Sequence, residues 1–202
     1  MGLTPFNEDK THIVHLSEGF DFLGFTIRRY PRGGKVLTRP SKAAVQRIRD
    51  KLRVEVIRRN GANAPAVIAA VNPIIRGWAA YYRIGASKKI YAQLDYWMWI
   101  RLWRWARRAH PNKGKRWIQA RYWGRFHPRR DDRWVFGDHE SGIYLRRFAW
   151  TPIVRHVKVK GRASIDDPTL TDYWRQRRRR RPDPTQTLPA FLPAPTAALG
   201  LA

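Results

Sequence analysis

From Ser41 to Arg108 the apolar positions of the chain recur three and four residues apart, the spacing of helices with one buried side. A first helix is expected to open at Ser41, whose hydroxyl can cap it after Pro40. Val45, Ile48, Leu52 and Val56 then share a side, and Asn60-Gly61 stops it. Asn63 caps a second helix with Pro65 in its first turn, and Val67, Val71, Ile74 and Trp78 continue along one side. Pro73, in mid-pattern, should kink that helix or divide it. Gly77 is read as a place where another backbone comes close. A third helix spans about Ser87 to Arg108 with a narrow stripe of Tyr91, Met98, Leu102, Trp105 and Ala109. His110-Pro111-Asn112 ends it, and a shorter helical piece runs on through Trp123.

Before this helical block the pattern has period two. His12–Leu16 alternates loosely, and Phe20–Arg28 reads as one strand, apolar on both faces and therefore covered on both. Pro31–Gly34 turns the chain, and Lys35–Thr38 can return as a hairpin partner. After Gly124 short extended pieces are expected at Trp134–Phe136, Ile143–Leu145 and Ile153–Lys160. The fold class that follows is mainly α, a three-helix bundle, with a small N-terminal β-hairpin and an irregular α+β C-terminal segment. The division expected is 1–39, 40–123, 124–175 and 176–202, the last a disordered arginine-rich run passing into a Pro/Ala tail.

Charge turns this outline toward function. The 202 residues carry 41 Lys and Arg against 15 Asp and Glu, a formal +26 that folding does not require and that costs stability by self-repulsion. A polyanionic partner accounts for it. No uncharged run suits a bilayer, no leader pattern opens the chain, and without cysteine there is no disulfide or thiolate zinc site. Nucleic acid, in the cytoplasm, is the first reading. Between Arg76 and Arg130 stand 15 basic residues, one acid (Asp95) and seven of the ten tryptophans. Such a mixture can neutralise phosphates and offer rings to unstacked bases, whereas the alternative has the rings in the core and the arginines around it. Most tryptophans are expected in the core and most arginines on the polyanion. Trp97, among Arg101, Arg104 and Arg108, is the candidate stacking ring, with a packed-core role as the competing reading.

Particular residues carry a resemblance. Gly19-Phe20-Asp21-Phe22-Leu23-Gly24-Phe25, after Lys10-Thr11, resembles the last palm block of group II intron reverse transcriptases. Val71-Asn72-Pro73, Ile74-Ile75-Arg76-Gly77-Trp78 and Tyr81-Tyr82-Arg83 resemble the maturase-specific segment of that family, its thumb or domain X. Leu94-Asp95, Arg104-Trp105, Trp117, Tyr122-Trp123, Arg155–Lys158 and Asp167-Pro168 with Tyr173-Trp174 fit the same pattern, over about residues 8–175. The resemblance implies a protein that binds group II intron RNA and stabilises its splicing-competent fold, the chemistry belonging to the RNA.

Two family features have no counterpart. The Tyr-x-Asp-Asp polymerase motif does not occur, Asp131-Asp132 and Asp166-Asp167 reading as loop acids, and nothing resembles the cysteine-bearing HNH endonuclease, so His139 is not read as catalytic. No catalytic residue, metal or cofactor is expected. The residues expected to contact RNA are Lys42, Arg49, Arg53, Arg76, Trp78, Tyr81, Tyr82, Arg83, Lys88, Lys89, Trp97, Arg101, Arg104, Arg108, Lys113, Lys115 and Arg116. Arg155, His156, Lys158 and Lys160 join them, His156 by the resemblance only. Beside a maturase without catalysis of its own stand two alternatives: a thumb/X part of a split or truncated reverse transcriptase, partnered by an upstream fragment, or a decayed reading frame.

Overall fold

In the computed structural model the chain divides into two units, residues 1–155 and 156–202. The residues described are 13–31, 33–154, 159–161 and 163–180. The first unit is built on four helices, α1 (Lys42–Arg58), α2 (Ala64–Tyr82), α3 (Lys88–Ala109) and α4 (Lys115–Tyr122). A three-stranded antiparallel sheet precedes them, β1 (Phe20–Phe22), β2 (Phe25–Arg29) and β3 (Val36–Pro40), in the order β1-β2-β3. A two-stranded sheet follows, β4 (Trp123–Gly124) with β5 (Val135–Phe136). The architecture is mainly α with some β.

The helix starts are where cap chemistry puts them. The Ser41 hydroxyl accepts from Ala44 N at 3.1 Å and the Asn63 side chain from Ala66 N at 3.0 Å, each satisfying a donor that has no partner inside its helix. One continuous core follows from the apolar stripes. Ile48, Leu52 and Val56 of α1, Val67, Ile68, Val71 and Ile75 of α2, and Tyr91, Leu94, Met98 and Leu102 of α3 are all buried in it. The buried side of α2 runs through Ile75 and Ala79, leaving Ile74 and Trp78 half-buried beside it. α2 runs unbroken through Pro73, which occupies an exposed position.

The extended regions depart further from expectation. Phe20–Arg28 is a hairpin, with Phe22 opposite Phe25 across a two-residue turn of Leu23 and Gly24. Both turn residues have positive φ, 48° and 78°, the combination that tight hairpins of this kind require. Tertiary bonds hold that strained turn, since the Leu23 carbonyl accepts from the Tyr81 hydroxyl at 2.9 Å and the Gly24 carbonyl from Ser41 N at 2.8 Å. The sheet is not covered on both faces: Phe20, Phe22 and Leu23 are exposed. Residues 13–16 form no strand, although the Leu16 carbonyl accepts from Arg29 N at 2.8 Å. Residues 153 and 154 are likewise irregular, and Val154 N donates to the Arg83 carbonyl at 3.0 Å.

In the second unit Asp167 caps a short 3-10 turn (Pro168–Leu170) that leads into α5 (Thr171–Arg180). The indole N–H of Trp174 donates to the Ser164 carbonyl at 2.7 Å, and the guanidinium of Arg177 lies over the Trp174 ring at 5.8 Å. Arg175 and Arg177–Arg180 therefore stand on a helix. Asp172 in its first turn, paired with Arg175 at 2.9 Å, suits the positive end of the helix dipole. The Pro/Ala tail lies outside the described residues.

Candidate nucleic-acid interface

The stretch Arg76–Arg83 is a packing junction. Trp78 packs on Tyr82 at 4.3 Å between ring centroids and edge-on to Phe148 at 5.7 Å, while Phe25 of β2 lies against Tyr81 and Tyr82 at 5.4 and 4.8 Å. Just beyond, Gly85 comes so close to β3 that a Cβ there would stand 2.8 Å from the Thr38 carbonyl, which accepts from Ala86 N. The stretch thus ties the hairpin to α2 and α3. Tyr82 and Arg83, both expected to contact RNA, are buried. Tyr81 is half-exposed with its hydroxyl engaged, and Trp78 is half-buried. Gly77 is not a helix-packing contact, since a Cβ there would meet nothing within 4 Å. It opens instead on a groove of about 540 Å³ between α1 and α2, flanked by Arg47 and Lys51.

Two basic clusters emerge. In the first, the packing of α1 on α3 brings Arg53 close enough to Arg101 for their charges to interact, and Arg104 acts on Arg101 from the same helix. Burial first, then those two neighbours, hold the Arg101 guanidinium below its ordinary range. Arg101 lies over the Trp97 ring at 5.3 Å, one helical turn away, so the half-buried indole supports a cation on one face. No ion pair engages Arg53, Arg101 or Arg104 among the described residues. By contrast, Arg58, Arg59, Arg121, Arg125 and Arg147 all face carboxylates.

The second cluster was not foreseen. Arg146 sits where its guanidinium is pushed down by burial, then by Arg76 and Arg130. The imidazole of His127 is held below its usual range by burial and by Arg130, Arg146 and Arg129. Arg130 lies over Trp150 at 5.7 Å. Asn72 fixes the segment, its Nδ2 donating to the Tyr144 carbonyl at 3.0 Å while its Oδ1 accepts from Arg146 N at 2.8 Å. The paired arginines 129-130 and 146-147 beside aromatics were the available signal, but only the fold shows that Arg76 of α2 joins them.

The other expected contacts are dispersed. Lys42, Lys89, Arg108, Lys115 and Arg116 are exposed, and Arg49 is partly buried. Lys113 covers the Trp117 ring at 5.4 Å, and Lys88 donates to the Ala149 carbonyl at 2.6 Å, which ties it to the fold. Lys160 is exposed in the second unit; Arg155, His156 and Lys158 lie outside the described residues.

Asp95, the single acid of the basic stretch, is structural. Its side chain is 5% exposed, and its two oxygens accept from Phe148 N at 2.7 Å and Ala149 N at 3.0 Å, with Arg147 Nε at 3.6 Å. Burial, the largest influence, raises its carboxyl above the ordinary range against the opposing pull of those N–H groups and Arg147. Asp131 pairs with Arg125 and Asp132 with Arg147, as loop acids. Among the described residues no three His, Asp or Glu side chains gather as a metal site, and no helix is long and apolar enough to cross a membrane.

The match of residues 45–123, from α1 to the first residue of β4, to the family described as group II intron, maturase-specific domain decides the relationship. Residues 45–123 are a group II intron maturase-specific domain. That domain contains the whole Arg53–Arg101–Arg104 cluster and the Arg76–Arg83 stretch, whereas Phe25, Arg130, Arg146 and Phe148 fall beyond it. That domain is not a catalytic one. No curated protein matches the chain.

Proposed function

We propose that this chain binds group II intron RNA and promotes splicing by stabilising the folded intron, without chemistry of its own. The observation that carries the reading is the trio Arg53, Arg101 and Arg104 within a maturase-specific domain: like charges gathered without a carboxylate partner among the described residues. Bringing guanidiniums together costs energy in the free protein, and a phosphate backbone relieves it. Arginine also suits phosphate by its forked donors, and Trp97 beneath Arg101 holds one fork in place. The reaction remains the ribozyme's, and the protein supplies positive surface and shape recognition.

Filter binding to group II intron RNA over a salt series tests this. Affinity should fall by about 10³ or more between 50 and 200 mM salt, and replacing Arg53, Arg101 and Arg104 together by Gln should lower the log–log slope by about 3. A slope unchanged by the triple variant refutes the assignment. Loss of protein-dependent splicing in the same variant connects binding to function.

A second reading is favoured by one observation, the exposed Phe20 and Phe22 on β1, which is an edge of the three-stranded sheet among the described residues. Such an edge can accept a further strand from a reverse-transcriptase fragment on another chain. DNA synthesis on mixing the chain with a fragment bearing Tyr-x-Asp-Asp tests it, and no gain in activity counts against it.

A further inference from the structure

The first unit contains an aromatic cavity of about 460 Å³ between α3, the β4–β5 sheet and residues 145–147, and it is separate from the Arg53 trio. That volume falls within the range of about 300–1,000 Å³ of small-ligand sites. Tyr96, Trp99, Trp123, Trp134 and Phe136 supply its flat rings, beside aliphatic side chains and the charged Asp95, Arg146 and Arg147. Trp99 and Trp134 meet edge to face at 6.2 Å, Trp123 lies 6.2 Å from Trp99, and Trp134 is 50% exposed.

Two of the lining residues carry buried donors without a hydrogen-bond partner among the described residues, the indole Nε1 of Trp123 and the Nε of Arg146. An unmade buried hydrogen bond is costly, so a purely apolar occupant would leave that cost in place. Arg146 also belongs to the cluster with Arg76 and Arg130, which repel one another until an anion arrives. The fitting occupant is therefore flat and aromatic, carries acceptor atoms, and is attached to a negative charge.

We propose that this cavity receives the base of an unstacked RNA nucleotide, with the adjoining phosphate on Arg146. The base lies among the Trp99 and Trp134 rings, and its ring nitrogens or carbonyls accept from Trp123. Stacking tolerates every base, because each has a π-face. The inference rests on the reading of the chain as an RNA-binding protein and adds a second, base-dependent contact to the phosphate-dependent one.

The test uses the full chain and two synthetic hairpin RNAs, one with a single bulged nucleotide and one with that nucleotide abasic, so that both present the same phosphates. The bulged hairpin should bind about tenfold tighter or more. Trp134→Ala should abolish the difference while leaving affinity for the abasic hairpin unchanged. Trp134→Phe, which keeps a ring at the mouth, should retain most of it and shows that a loss in the alanine variant is not a failure to fold. Equal affinity of the wild type for the two hairpins overturns the cavity assignment and leaves the basic face standing. Binding of neither overturns the RNA reading, and this inference with it.

Discussion

Removing the Asp95 carboxylate should unfasten the segment that follows β5 from α3. In Asp95→Ala the N–H groups of Phe148 and Ala149 lose their acceptors inside the core, Phe148 itself being fully buried. Each orphaned donor costs about 1–3 kcal/mol. Arg147 keeps Asp132 as a partner, so its charge is not left alone. Two such donors sum to about 2–6 kcal/mol, which brackets the range of about 3–5 kcal/mol for breaking a buried charged contact. Asp95→Asn keeps one acceptor oxygen and turns an amide toward the other N–H, so about half that loss is expected.

The pH dependence has a definite sign. Because burial raises the folded carboxyl above its unfolded value near 3.9, the folded chain holds a proton that the unfolded chain has released between those two values. Stability from this group is full below the unfolded value and is lost as pH rises through the folded one. Wild type should therefore exceed Asp95→Asn by most in acid, the margin narrowing as pH rises through that interval. Denaturant melts of the three proteins across pH 4 to 8 measure both effects. An alanine variant within about 1 kcal/mol of wild type, or a margin that widens with pH, would refute the account.

Gly24→Ala should cost at least about 1 kcal/mol more than Gly33→Ala in thermal melts. Both glycines have φ near +80°, but only at Gly24 would the new Cβ stand 2.5 Å from the Tyr82 hydroxyl, with nothing within 4 Å at Gly33. Leu102→Ala, at a fully buried position of α3, should lower unfolding free energy by about 3–5 kcal/mol through the cavity it leaves, measured in urea.

The helices were legible because each was marked twice, by spacing and by caps. Ser41 and Asn63 bind the N–H groups that a capping residue should, and Ile48, Leu52 and Val56 or Met98 and Leu102 point inward as their spacing requires. The strands were marked once. Leu23-Gly24 hid a reversal inside an apolar run, because what makes a leucine adopt positive φ there is Tyr81, 58 residues away, and Ser41. No local pattern contains that. The sole acid of a basic helix stripe deserved a core role from its position alone, since Asp95 follows Leu94 and Tyr91 on the buried side, yet its partners lie 53 and 54 residues onward.

The same division explains why the motif and the candidate interface part company. Aromatics at Trp78, Tyr82, Phe25 and Phe148 fill space that must be filled in one way, so they make a recognisable signature whatever the surface does. Cations need only reach the right face, and residues far apart in the chain can supply them: Arg53 from α1 with Arg101 and Arg104 from α3, Arg76 from α2 with Arg130 and Arg146 from loops. A sequence pattern therefore finds the scaffold through its rings and counts the charge without placing it. The fold then sorts the arginines, engaging Arg59, Arg121 and Arg147 with carboxylates and leaving the Arg53 trio without one among the described residues. By that sorting, replacing a carboxylate-paired arginine should lower stability and leave the salt slope of RNA binding intact, whereas replacing the trio should lower the slope without lowering the melt.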